Sequence, residues 1–265
     1  MTNLSLNKVH GPFQTELNKF RIAAFRDVVG VKDEDTVPIS YLAMLAWAVQ
    51  WDAFGAIPSE VMNAAGARVH GEHEIRLHAP ITAGQSLETT SQLTGVRPNR
   101  SGSVVTQRID HHVAGQLVAQ QWWSLFLGGV QLDGVGEPPP DHVFPEEARS
   151  NHLATVKVPI TDAMARNYAA VSGDWAEHHF DPESAARSGA VGPFLHGLCT
   201  FSICAEAASN GRRLKRVAAR FAAPAILNND LEVHVFSSGD NANVFEATCA
   251  GAKVASNGVV EFAEF

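Results

Sequence analysis

The dipeptide Ala79-Pro80, with Leu87-Glu88 seven positions beyond the proline, recurs as Ala223-Pro224 with Leu231-Glu232 at the same spacing, 144 positions later. Each copy encloses a turn-forming stretch, Ala83-Gly84-Gln85 in one and Asn228-Asn229-Asp230 in the other. Both sites therefore read as a strand, a turn and a second strand. Between them, residues 134–150 hold Pro138, Pro139, Pro140 and Pro145 and show no hydrophobic period. Three consecutive prolines favour a stiff, extended spacer. A motif repeated in order around a central spacer confines the chain to two copies of one fold. The 265 residues then divide into a first unit, 1–132, a linker, 133–150, and a second unit, 151–265, which together are long enough to bury a substantial core.

Within each unit helices precede strands. Residues 16–29 place Leu17, Phe20, Ala24 and Val28 at helical spacing and are closed by Gly30. A second apolar helix is expected from Pro38 through Leu42, Leu45, Ala46 and Val49, with Pro38 in its first turn. His73, Ile75 and Leu77 alternate with Glu74, Arg76 and His78 as in a strand. Further strands are expected near 86–95, 103–112 and 116–128, set off by Gly84, Gly102 and Gly115. In the second unit, 161–171 is helical, and Asp181-Pro182 reads as an N-cap with proline at the first helical position. A helix starting near His196 is apolar on nearly every side (Leu198, Phe201, Ile203, Ala207), which argues for burial. Strands follow near 216–224, 230–237, 243–250 and 253–264. A buried helix against an antiparallel sheet, twice over, is an α+β architecture.

Composition narrows the function. Net charge is −8, from 20 basic and 28 acidic residues, so a general nucleic-acid surface is not expected. No apolar run approaches the ~18 residues of a membrane helix. The N-terminus, Met1 to Lys8, is polar and has no apolar centre of the secretory kind. Three cysteines (Cys199, Cys204, Cys249) are an odd number, read as reduced thiols. A cytoplasmic protein is the expectation.

The chemistry is concentrated in residues 167–200, NYAAVSGDWAEHHFDPESAARSGAVGPFLHGLCT. Gly173 ends a helix, so Asp174 falls in the loop after it, with His179 five residues on. Five is not a same-face helical spacing, so only loop geometry brings the two together. Downstream, Leu195-His196-Gly197 opens the buried helix. A helix start offers unpaired N–H groups, and glycine there admits a substrate oxygen close to the backbone. Carboxylate, imidazole and oxyanion donor are thus within one short segment. An isolated Asp/His pair is more often a turn residue and a satisfied loop histidine; the ordered run is what points to chemistry.

That run resembles the MaoC-like dehydratase and (R)-specific enoyl-CoA hydratase family in Tyr168-Ala169, Ser172-Gly173-Asp174, His179, Asp181-Pro182 and Leu195-His196-Gly197. The resemblance implies tandem hot-dog folds, each a central helix wrapped by an antiparallel sheet, with a degenerate first copy. In that copy Pro38-Ile39-Ser40-Tyr41-Leu42 takes the place of Pro193 to Gly197 without an accompanying Asp-to-His pair, so one catalytic site per chain is implied. The implied roles are Asp174 and His179 as the acid–base pair on a water and Gly197 N–H as the donor to the thioester carbonyl, with Tyr168, Ser172, Gly173 and His196 in support. The substrate carrier is coenzyme A or acyl-carrier protein, and no metal or redox cofactor is implied. The sequence departs from the family where asparagine and proline are expected, at Ala176 and Glu177. Alanine offers no side-chain hydrogen bond; Glu177 and His178 are the neighbours able to replace it.

Other candidates are less specific. Ser172 lacks a nucleophile-elbow context. His70, His73 and His78 with Glu72 and Glu74 suggest a metal, but alternation sends His73 and His78 to opposite faces. Arg212, Arg213, Lys215 and Arg216, and less so Arg97 and Arg100, are candidates for coenzyme A phosphates. Trp47 and Trp51, four apart on the first-unit helix, are candidates to line an acyl pocket. The expected function is a hydro-lyase interconverting 2-enoyl and (R)-3-hydroxyacyl thioesters. The alternatives are a hot-dog thioesterase or a non-catalytic acyl-CoA-binding partner subunit. A homodimer, or a heteromer, is expected.

Overall fold

The structure is a computed structural model that describes residues 4–31 and 37–264. In chain order it comprises β1 (His10–Glu16), α1 (Lys19–Val29), α2 (Tyr41–Phe54), α3 (Ser59–Ala64), β2 (Ala67–Leu77), β3 (Ser86–Asn99), β4 (Gly102–Val113), β5 (Gln116–Gly128) and β6 (Val135–Gly136). Then come β7 (His152–Ile160), α4 (Asp162–Ser172), α5 (Pro182–Arg187), β8 (Phe194–Leu195), α6 (Gly197–Ser209), β9 (Leu214–Phe221), β10 (Ala225–Ile226), β11 (Asn229–Ser237), β12 (Ala242–Cys249) and β13 (Ala252–Phe262). Short 3₁₀ turns occupy Glu146–Ser150 and Glu177–His179.

The long strands form one sheet in the order β1-β3-β4-β5-β2-β9-β13-β12-β11-β7, with β6 added on β3. All its pairings are antiparallel, including β2 with β9, where Glu72 faces Arg220 and Glu74 faces Ala218. That pairing joins the strands before the proline-rich segment to those after it. The repeated dipeptides lie just past the two joined strands: Pro80 follows β2 and Pro224 follows β9. Helices α2 and α6 contact each other, and their buried side chains share one core with both sets of strands. Ten of the fourteen residues of α2 are buried, as are ten of the thirteen of α6, which explains why neither shows a polar face. This is the double hot-dog arrangement expected from the sequence.

Several elements differ from expectation. The first helix begins at Lys19, because the Asn18 side chain caps it by accepting from Phe20 and Arg21 N–H. Pro38 precedes α2 instead of entering it, its carbonyl accepting from Tyr41 N–H at 2.9 Å. The edge strands β1 and β7 are additional to those expected; β1 is mostly exposed, and β7 alternates only over Val156 to Ile160, too short a run to stand out in the sequence. The linker is not a bare spacer, since it contributes β6 and a 3₁₀ turn.

The seam between the two sets of strands is held by charge. Arg216 on β9 bonds to Glu74 on β2 (Nε–Oε1 2.9 Å) and to Glu261 on β13 (2.8 Å). Glu72 takes both Arg97 (3.0 Å) and Arg220 (2.7 Å). A polar lane also crosses the first-unit sheet beneath α2. Gln121 Nε2 donates to Leu42 O (2.8 Å), which orients its amide so that Oε1 accepts from His73 Nε2 at 2.9 Å. His111 bridges Gln121 and Thr89. Burial lowers both His73 and His111 to about 4.

Candidate active site

Gly173 leaves α4 in the left-handed region (φ 84°), which turns the chain sharply and starts the Asp174 loop. Asp174 N–H donates to Ser172 Oγ at 3.1 Å, and Asp174 Oδ1 accepts from Ala176 N–H at 3.2 Å. The chain then winds through the 3₁₀ turn Glu177–His179, which carries His179 back over Asp174. Residues five apart in sequence thus end with His179 Nε2 3.8 Å from Asp174 Oδ2, both buried.

The protonation pattern follows from the partners. His179 Nδ1 lies 2.8 Å from Phe194 O. A carbonyl only accepts, so Nδ1 holds a proton, and in the imidazole form Nε2 presents a lone pair. Nε2 and the Asp174 carboxylate are then two acceptors facing each other. They cannot bond directly, and a water between them can donate one proton to each. Burial raises the Asp174 carboxyl, but the adjacent His179 and His196 imidazoles and the Ala176 N–H donated to Oδ1 outweigh it and hold it below the ordinary carboxylate value.

His196 braces the pair from below. Its Nε2–H donates to Asp174 O at 2.9 Å, and its ring stacks on His179 at 3.7 Å and 25°. Tyr168 packs against it, ring centroids 5.0 Å apart. Burial, with the closeness of the His179 ring, lowers His196 to about 4, so it is neutral near pH 7. Its Nδ1 and the Tyr168 hydroxyl are buried without a hydrogen-bond partner among the described residues. Metal-capable atoms of Asp174, His179 and His196 lie within 4.8 Å of one another. The two stacked rings, however, send their in-plane lone pairs side by side and not to one point, a poor fit to a metal.

Gly197 is the first residue of α6. The first N–H to bond back into the helix is that of Thr200, to His196 O at 2.9 Å, which leaves the Gly197 N–H without a helical acceptor. A Cβ at Gly197 would meet only Phe221, at 3.7 Å and beyond. The start of α2 is different: the N–H groups of Tyr41, Leu42 and Ala43 bond to Pro38, Ile39 and Ser40 carbonyls. After α1, Gly30 again has positive φ (80°), but Val31 follows it where Asp174 follows Gly173.

The structure thus gathers Asp174, His179, His196, Gly197, Tyr168, Ser172 and Gly173 into one site. It does not bring the basic candidates there. Arg216 and Arg97 are held by carboxylates at the seam. Arg212 and Arg213 follow the far end of α6, about 20 Å from Gly197 by helical rise; Arg212 stacks on Phe262 and donates to Asp240 O. Both border a cavity of about 620 Å³ that includes none of the site residues. Lys215 is half-buried at the start of β9, and Arg100 is exposed in the β3–β4 turn. Trp47 packs on Trp123 (6.4 Å), whereas Trp51 is largely exposed. His70 and His73 pair at 3.2 Å, while His78 turns away to Gln120. The Phe194 carbonyl, which sets the His179 tautomer, was not foreseen; a backbone acceptor leaves no signal in residue type.

Residues 145–259 match the family described as MaoC like domain, and residues 18–121 match the FAS1-like, dehydratase domain region. The chain is 29% identical over 221 residues to 3-hydroxyacyl-thioester dehydratase Y of Mycobacterium tuberculosis, covering 78% of this chain and 75% of that protein. It is 28% identical over 200 residues to peroxisomal multifunctional enzyme type 2 of Mus musculus, covering 69% of this chain but 26% of that larger protein. The solved structure of a MaoC-like dehydratase from Phytophthora capsici superposes with a TM-score of 0.83 at 18% identity, covering 99% of this chain and 98% of that one.

Proposed function

We propose that this chain, which carries a MaoC-like dehydratase domain after a FAS1-like dehydratase region, is a hydro-lyase acting on acyl thioesters, adding water to a 2-enoyl thioester or removing it from the (R)-3-hydroxyacyl thioester. The observation that carries this reading is the pair of facing acceptors, Asp174 Oδ2 and His179 Nε2, 3.8 Å apart and beside an unused helix N–H. Water bridges the two acceptors. His179 Nε2 takes one of its protons as the oxygen bonds to the β carbon. The double-bond electrons move toward the thioester oxygen, where the Gly197 N–H stabilises the enolate-like charge. The imidazolium then returns its proton to the α carbon. Asp174 holds the water and balances the charge on His179. Every proton and electron pair is accounted for by water and these residues, so no redox cofactor enters the reading.

Coenzyme A or acyl-carrier protein serves as carrier, and the protein works as a homodimer in a reducing compartment, which its three free, buried cysteines suit. Purified protein is offered a panel of straight, branched and dicarboxylic enoyl thioesters, with loss of the conjugated ultraviolet band and release of free thiol followed together. Band loss without thiol, abolished by Asp174→Asn, supports the hydro-lyase. Thiol release at the same rate as band loss supports a thioesterase instead.

A further inference from the structure

The site described above has no side chain at position 176 to hold the reacting water, and the structure shows which neighbour can. Glu177 is largely exposed and faces Arg187 at 3.9 Å. Asp174 Oδ1 is occupied by the Ala176 backbone N–H, so the carboxylate is oriented without a side chain there. His178 is different. Its ring lies flat on Phe194 (4.9 Å, 12°) and edge-on to His179 (4.2 Å, 63°). It is half-buried, and neither ring nitrogen has a hydrogen-bond partner among the described residues. Phe194 thus serves both histidines: its carbonyl fixes His179 Nδ1 and its ring fixes the plane of His178. An imidazole immobilised by stacking beside an acid–base pair, with its nitrogens uncommitted, is a hydrogen-bonding group without an internal use.

A water that gives its two protons to Asp174 and His179 keeps two lone pairs. One attacks the β carbon; the other is open to a donor. We propose that His178 is that donor, a further catalytic residue whose ring N–H holds the reacting water in place of the side chain absent at Ala176. The proposal rests on the hydro-lyase reading. It makes the site complete as the sequence stands.

The test uses His178→Phe, which keeps a flat ring on Phe194 and removes both nitrogens. The expected result is a kcat lower by about 10- to 100-fold, the effect of one lost hydrogen bond to a reacting group. KM and the thermal midpoint stay near wild type. His178→Gln, which retains a donor, keeps more activity than His178→Phe. Adding Ala176→Asn to His178→Phe restores turnover, because the amide supplies a donor from the other side of the loop. Equal kcat in His178→Phe and wild type overturns the proposal, as does a loss that Ala176→Asn leaves unrepaired, which marks His178 as packing. A wild-type chain inert until Ala176→Asn is introduced also overturns it while leaving the hydro-lyase reading intact. Both forms inert, with the fold retained, contradicts the hydro-lyase reading itself.

Discussion

Gly197→Ala separates chemistry from packing more cleanly than any change at the acid–base pair. The added methyl meets Phe221 at 3.7 Å and 3.9 Å, ordinary van der Waals contact, and Gly197 does not occupy the left-handed region. The fold therefore accommodates alanine, and the lower backbone entropy of the unfolded chain makes it neutral to slightly stabilising, by at most about 1 kcal/mol. The N–H is retained. What changes is its approach: a methyl now stands beside the donor to which the thioester oxygen must come. Loss of one oxyanion donor costs about 2.7–4 kcal/mol of transition-state stabilisation, a fall of roughly 100- to 1,000-fold in kcat. Steady-state hydration of a short enoyl thioester, read by loss of its conjugated absorbance, gives kcat; thermal unfolding of the same preparation gives stability. An alanine variant as fast as wild type would refute the assignment of Gly197 N–H to the carbonyl. A variant that unfolds many degrees earlier would refute the steric reasoning.

Other expectations follow from the same geometry. Asp174→Asn keeps an oxygen for the Ala176 N–H but loses the charge facing His179, so kcat falls by about 100- to 10,000-fold with little change in the unfolding midpoint. Arg216→Leu leaves the Glu74 carboxylate, whose side chain is 3% exposed, with Arg76 as its one cationic partner among the described residues; denaturant unfolding should show a loss of roughly 3 kcal/mol. His73, His111 and His196 are lowered to about 4 in the folded chain, against about 6.5 unfolded. As pH falls the unfolded chain takes up these protons first, so stability is full above about pH 6.5 and is lost progressively toward pH 4. Each imidazole removes up to about 2 kcal/mol by pH 5. Chemical unfolding across this range should show that slope, and His111→Gln should reduce it.

The parts of this molecule legible in its sequence are those set by local pattern. The alternation of β2, the punctuation around β3 to β5, the Asp181 cap on α5 and the all-round apolar α6 need only neighbouring residues to be recognised. The candidate site was legible for the same reason: Asp174, His179 and Gly197 fall within one short run. Long-range pairing was not legible. Arg216 and Arg97 look like phosphate ligands in a sequence, because nothing local shows that Glu74 and Glu72 face them across strands far apart in the chain. His70 and His73 meet because the β2 pairing shifts register between His70 and Glu72, which breaks strict alternation. The Phe194 carbonyl that fixes His179, and the stacking that leaves His178 uncommitted, depend on backbone direction in the loop before α6. Residue type does not encode that direction.

Addition of water across the double bond of a thioester is the chemistry proposed for this site. Turnover of an enoyl thioester in water enriched in heavy oxygen tests it directly. The label is expected on the β carbon as an (R)-hydroxyl, with the thioester intact and incorporation at least about 100-fold slower in Asp174→Asn. Label in a free carboxylate, with thiol released, would rule out hydration and assign hydrolysis to this site.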